Sequence, residues 1–399
     1  MNYEEMRPRL TGYGLAKIQQ AILIFFIMLS PIYKCFSEYT IFGYNPIVIV
    51  VGMVLLCYAL NIFYVANGRQ KRFFSVLILI AFVIELYVSE TENTIGWVLS
   101  IFLYISFLQT DMRMSVDKLY RAFLWSAVIA AVFSVLRGLA GGTITRAAAN
   151  VDGSIAPIAL TIILFCDNKS LKRETGGWDV LKVVSLLSCG VVLIFGMSRA
   201  RILVAGVLFA IYGLQRFGAV MSKNGQLKKN GVWALLGVFC VVVLLLISPV
   251  FQQIIMPIVD RFLNEGMESM GRDVEMEYAK KLFKANRFMG AGWGKFILQD
   301  MNGSMVTYSN HSAYMAILAR GGLFLAVPMF MSYISLLVGA WKTRKQNGAP
   351  LVLMIVFLTL SYGNAGLFNY MICSLIPLVV LDVNKNRKVK PERERMLWR

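Results

Sequence analysis

Charge is scarce in this sequence. Asp, Glu, Lys and Arg make up 16% of the 399 residues, against 58% hydrophobic. So little charge cannot cover a soluble protein of this length, which leaves an integral membrane protein. Histidine is scarcer still, since His311 is the only one. The six cysteines, Cys35, Cys57, Cys166, Cys189, Cys240 and Cys373, show no metal-ligand spacing. All lie in or beside apolar runs and read as small buried hydrophobes, so no disulfide, metal site or cofactor is expected. No cleavable leader is expected either. The first apolar run follows a polar segment holding Arg7, Arg9 and Lys17, and no small-residue cleavage site follows it. Acidic residues are outnumbered, giving a formal net charge of +18. Basic loops facing the cytoplasm orient membrane proteins and account for that excess, so no nucleic-acid partner is expected.

What the sequence does have is a succession of apolar runs, which predicts an all-α polytopic membrane protein rather than a barrel. Twelve spans are expected, at 18–36, 46–66, 73–89, 95–110, 119–138, 154–167, 180–197, 201–217, 232–250, 318–340, 350–367 and 370–381. The last two are separated only by a short turn around Asn369, so the count runs from ten to twelve. The chain divides into a membrane domain (1–250), one long loop (251–317), the last spans (318–381) and a basic tail (382–399). With the N-terminus inside, the cytoplasmic segments hold 27 of the 40 basic residues, and an even span count returns the C-terminus to the same side.

The remaining basic residues cluster in the second half of the expected outer face. Arg199 and Arg201 sit in GMSRARILV, a short connection between apolar runs, where a charge needs a partner such as an anion. Snorkelling to lipid phosphate is the plainer account. In the long loop, Met267, Met270, Val274, Tyr278, Leu282 and Ala285 recur at helical spacing, predicting an amphipathic helix at about 267–286. It would lie on the membrane surface or lid a cavity. Arg272 falls in its first turn. GAGWG at 290–294 lacks the context of a nucleotide motif. Its glycines allow a sharp turn, Trp293 is expected at the membrane interface, and its amides could hold an anion. Ser309 or Asn310 would cap a helix beginning near His311, whose imidazole the helix dipole would keep neutral and able to accept a proton. His311, Tyr314 and Leu318 share a face, and Gly321-Gly322 allows a bend.

These residues together resemble the O-antigen polymerase and O-antigen ligase superfamily of bacterial surface-polysaccharide enzymes. Ser198-Arg199 resembles that family's arginine after a central span. GRDVEMEYAKKLFKANRFMGAGWGKF resembles its outer-loop pattern of arginine, amphipathic helix and glycine turn, and NHSAYMAILARGGLF its histidine motif. Ser312 after the histidine, Ala-Gly-Trp-Gly in the turn and Phe288-Met289 depart from the pattern. The resemblance implies a GT-C-like, metal-independent, inverting glycosyltransferase in the bacterial inner membrane, both termini cytoplasmic, acting at the outer leaflet. Its donor would be an undecaprenyl-pyrophosphate-linked oligosaccharide, and a chain-length regulator is a candidate partner. Carried over, Arg199 and Arg272 would hold the pyrophosphate and His311 would take the acceptor proton. Arg201, Tyr314, Arg287, Lys295 and Arg320 are further substrate-binding candidates. A polymerase is preferred, with a ligase or a lipid-linked oligosaccharide flippase as alternatives. A flippase should place charge at mid-membrane and show internal repeats, and the sequence shows little of either.

Overall fold

The computed structural model describes residues 3–36, 46–64, 69–88, 95–110, 113–140, 151–166, 177–196, 198–220, 270–293, 297–299, 305–307, 312–363 and 369–385. The described helices begin with α1 (Tyr3–Leu29), α2 (Pro46–Tyr64), α3 (Arg69–Val88), α4 (Ile95–Leu108), α5 (Val116–Ala140), α6 (Ile155–Phe165), α7 (Gly177–Gly196) and α8 (Arg199–Val220). Then follow α9 (Met270–Ala285), α10 (Ala313–Thr343), α11 (Ala349–Gly363), the single turn α12 (Tyr370–Cys373) and α13 (375–385). Among the described residues each expected span overlaps a helix, although 18–36 runs past the end of α1 at Leu29; 232–250 lies outside the described residues. Among the described residues, three helices are long and apolar enough to cross a membrane: Val116–Ala140, Asp179–Gly196 and Ala313–Thr343. The other apolar helices are shorter. The turn at Asn369 leads into a broken element, α12 and α13, as the sequence suggested.

The core is one continuous apolar cluster running from α1 to α13. Polar side chains tie it together. At one end, Asp382 on α13 accepts hydrogen bonds from Tyr120 of α5 and from Asn347 in the turn before α11. In the middle, Tyr104 of α4 is hydrogen-bonded to Ser332 of α10.

One element was not expected from the sequence, and a second carries the expected bend further. A small antiparallel hairpin, β1 (Ile297–Gln299) and β2 (Met305–Thr307), pairs Leu298 with Val306. Such short strands leave too little alternation to be seen in a sequence. The second is α10, which begins at Ala313 and is not one straight rod. Gly322 has φ 57° and ψ −163°, and the helix breaks there. Tyr314 and Phe330 would be about 24 Å apart along an unbroken helix, yet their ring centroids lie 5.9 Å apart. The limb 313–321 therefore folds back against the limb 323–343.

A broken helix exposes backbone groups that must be satisfied where water is absent. The turn that follows α9 supplies them. Ala291 N–H donates to Ala319 C=O (2.8 Å) and Gly292 N–H to Arg320 C=O (2.9 Å), which caps the end of the first limb. Arg287 C=O accepts from Leu323 N–H (2.9 Å) and Phe288 C=O from Phe324 N–H (3.0 Å), which caps the start of the second. One short turn thus completes both halves of the break.

Candidate functional site

The turn 287–292 decides how the stretch Gly290–Phe324 is built, because it holds the limb that follows His311. Gly290 (φ 73°) and Gly292 (φ 86°) adopt the left-handed backbone that side chains disfavour. A Cβ on Gly290 would meet Arg320 O at 2.1 Å, and one on Gly322 would meet Phe288 O at 2.3 Å. The bend expected at Gly321-Gly322 is present. The anion role expected of the glycine-turn amides is not supported at Ala291 and Gly292, which donate to carbonyls instead.

Trp293 also departs from expectation. It is buried, not interfacial, and packs edge-on against Phe82 of α3 at 5.5 Å between ring centroids. Its indole N–H donates to Glu85 Oε2 at 3.1 Å. Glu85 is only 1% exposed, and its Oε1 has no hydrogen-bond partner among the described residues. Glu85 lies under the break, since a Cβ on Gly321 would stand 3.1 Å from its Oε2. Glu85 was not among the candidate site residues read from the sequence. A lone acid in an apolar helix was the available signal.

The amphipathic helix is present as α9 (Met270–Ala285), and residues 267–269 of the expected range lie outside the described residues. Val274, Tyr278 and Leu282 face a small cluster formed by Ala279 of α9 and Ala319 of α10, with Met315 beside it. The apolar stripe therefore packs on the folded-back limb rather than on lipid. Ala285, counted in that stripe from the sequence, is exposed, and Ala279 is buried in its place. Arg272 occupies the first turn of α9, as expected, but its side chain lies outside what is described.

Arg199 is the first residue of α8, and its side chain is likewise outside the description. Arg201 lies on the first turn of α8. It is buried, and its Nη2 forms an ion pair with Asp152 Oδ1 at 2.9 Å. The Arg201 side chain lies across Gly153, where a Cβ would come within 3.0 Å of Nη1. Asp152 gathers four segments. Its N–H donates to Pro31 C=O after α1 (2.7 Å), and its Oδ1 also accepts from Ser154 N–H at the start of α6 (2.9 Å). Its Oδ2 accepts from Asn369 Nδ2. Asn369 Oδ1 in turn caps α12 by accepting from Met371 N–H (2.9 Å) and Ile372 N–H (3.1 Å). Burial disfavours charge on Asp152, but Arg201 and the Ser154 and Asn369 donors outweigh it, and the carboxyl is held below its usual range. The partner that the sequence demanded for Arg201 is thus an internal carboxylate. An aspartate between two apolar runs, in VDGS, was the signal for it.

Tyr314 donates its O–H to Leu358 C=O at 2.8 Å, fixing the limb to α11. With Leu318, Phe330, Tyr333 and Leu358 it lines an apolar cavity of about 250 Å³. The face expected to join Tyr314 to Leu318 is therefore real. Ser312 is the N-cap of α10, which begins two residues after His311, and its side chain makes no capping bond. His311 itself, with Ser309, Asn310 and Lys295, lies outside the described residues. Arg287 is exposed and Arg320 is buried.

Residues 184–330 match the family model described as O-Antigen ligase. That match contains Arg199, Arg201, α9, the glycine turn, His311 and the first limb of α10. No curated protein matches the chain.

Proposed function

We propose, for a chain that belongs through residues 184–330 to the O-antigen ligase and polymerase superfamily, that it joins glycan repeat units carried on a lipid pyrophosphate. The donor is an undecaprenyl-pyrophosphate-linked oligosaccharide, and the reaction takes place at the outer leaflet of the bacterial inner membrane. A hydroxyl of the acceptor sugar attacks the anomeric carbon, the bond from that carbon to the pyrophosphate oxygen breaks, and the lipid pyrophosphate leaves. In this reading Arg199 and Arg272 hold the leaving group, and His311 takes the hydroxyl proton.

The chemistry suits these residues. Guanidinium groups meet phosphate oxygens two at a time and neutralise charge as it develops. Two unit charges about 4 Å apart interact by about 4 kcal/mol at an effective dielectric of about 20, a useful share of a barrier. The observation that carries the reading is that the family match contains all three residues. The structure adds support through the fold-back of α10. The turn after α9 grips the limb 313–321, so the helix bearing Arg272 and the limb that follows His311 are parts of one packed unit.

The ligase reading also has an observation in its favour, because the matching family is described as a ligase. A ligase would use the same donor and the same leaving group. Purified protein incubated with a lipid-pyrophosphate repeat unit separates the two. A ladder of products on a gel establishes the polymerase. Transfer only to an added lipid or protein acceptor establishes the ligase, and lipid reorientation without bond formation overturns both.

A further inference from the structure

The exposed face of α9 carries a stripe of cations to which the proposed reaction assigns no step, although one of them, Arg287, was read from the sequence as a substrate-binding candidate. Lys280, Lys284 and Arg287 recur at i, i+4 and i+7, and all three are exposed. The helical winding continues to Arg287, since Asn286 N–H bonds Leu282 C=O and Gly290 N–H bonds Asn286 C=O. Lys281 is paired with Glu277 at 3.6 Å. Lys280, Lys284 and Arg287 have no carboxylate partner among the described residues. The opposite face, with Val274, Tyr278 and Leu282, is the one packed on α10. An ordinary interfacial helix turns its apolar face to the bilayer. This one gives that face to the protein and leaves its basic face outward.

The level of this stripe relative to hydrocarbon can be read from α10. Along its second limb Leu323, Val327, Met331, Ile334, Val338 and Trp341 form one exposed apolar row. That row is roughly 27 Å long at 1.5 Å per residue, close to the ~30 Å of a bilayer's hydrocarbon. Trp341 closes it at one end, with the Arg344 guanidinium 3.9 Å above its ring and Lys342 and Lys345 exposed beside it. Aromatic and basic residues together mark a membrane interface. Leu323 closes the row at the other end, and its N–H bonds Arg287 C=O. Phe288, 64% exposed, packs against Phe324 there. The basic stripe therefore begins where the lipid-facing row stops.

We infer that Lys280, Lys284 and Arg287 form a docking stripe for anionic phospholipid headgroups, with Phe288 as the apolar contact below it. Charge complementarity and level both fit this occupant, because phosphates lie just beyond the hydrocarbon edge. The device holds α9 down, and α9 leads directly into the turn that caps both limbs of α10. Plain solvent would satisfy the lysines but would not account for Phe288 exposed beside them.

The test uses the full-length protein in vesicles of phosphatidylcholine alone and in vesicles that also contain phosphatidylglycerol. Amide hydrogen exchange of residues 274–292 is followed in each. Headgroup docking makes local opening of α9 harder. Exchange at 280–288 is expected to slow at least about fivefold in the anionic vesicles, the worth of a single cation at such a surface. High salt removes the effect. The triple variant Lys280→Gln, Lys284→Gln, Arg287→Gln removes it too while melting normally in neutral detergent. Equal exchange in the two vesicle types overturns the inference, as does protection that the triple variant retains. Protection that appears only when an acidic polysaccharide is added assigns the stripe to a glycan and also overturns it. None of these readouts depends on glycan transfer.

Discussion

Gly290 and Gly322 cross with their backbones in contact. A Cβ on Gly290 would stand 2.5 Å from Gly322 N, and one on Gly322 would stand 2.4 Å from Gly290 N. Both residues have positive φ. The crossing lets the four capping hydrogen bonds form, because no side chain stands between the turn and the break. It is the hinge on which the position of the limb 313–321 depends.

Gly290→Ala and Gly322→Ala should therefore each be severe. The backbone conformation alone costs about 1–3 kcal/mol for a residue with a side chain, and the clash falls on backbone atoms that cannot rotate away. We expect a large fall in the melting temperature of the detergent-solubilised protein, or failure to accumulate in the membrane. Gly206→Ala on α8 is the control, since nothing lies within 4 Å of a Cβ there. It should be neutral or stabilising by up to about 1 kcal/mol. Equal effects at all three positions would remove the crossing as the explanation.

The Asp152–Arg201 pair predicts a different pattern. Asp152→Ala leaves a buried guanidinium unpaired, at a cost of about 3–5 kcal/mol. Removing both charges, as Asp152→Ala with Arg201→Met, should recover much of that loss. The pH dependence follows from the lowered Asp152 carboxyl. A carboxyl whose folded value lies below its unfolded value of about 3.9 stabilises the protein above that pH. The contribution is lost as pH falls through the folded value. Melting curves between pH 2 and 7, roughly, should show an acid-side loss in the wild type, and the double variant should lack it.

Glu85 and Trp293 make a testable pair of their own. Trp293→Phe removes the indole donor and leaves the buried Glu85 carboxyl without its hydrogen bond, costing about 1–3 kcal/mol. Glu85→Gln keeps an acceptor for the indole and should cost less. Adding Glu85→Leu to Trp293→Phe should relieve part of the loss, because both partners are then apolar. A double variant worse than Trp293→Phe alone would mean that Glu85 does more than accept this bond.

The parts of this fold that were legible in the sequence are those set by local pattern. Runs of apolar residues marked the helices, spacing at three and four marked α9, and Gly321-Gly322 marked the break in α10. What was hidden depends on partners distant in the chain. Trp293 in a polar loop resembles an interface anchor by composition, and only the approach of α3 turns it into a buried side chain bonded to Glu85. Arg201 asked for an anion, but no local rule connects it to Asp152, 49 positions earlier. The turn amides were expected to be open to a ligand because the sequence does not show a helix breaking beside them. In each case the physical demand was readable and the group that meets it was not.

The proposed chemistry makes the last prediction. A general base contributes about 10²–10⁴-fold to a proton-transfer step, so His311→Ala should abolish chain elongation while the protein still inserts. Wild-type polymer lengths from that variant would remove the base assignment. Arg199→Lys and Arg272→Lys keep the charge but lose the two-pronged contact to phosphate. A charge-assisted hydrogen bond is worth about 1.5–3 kcal/mol, so each lysine variant should lose most of the activity. Arg201→Met combined with Asp152→Ala provides the contrast. Its loss should track stability and recover at lower temperature, whereas a true leaving-group arginine should depress turnover at every temperature at which the protein is folded.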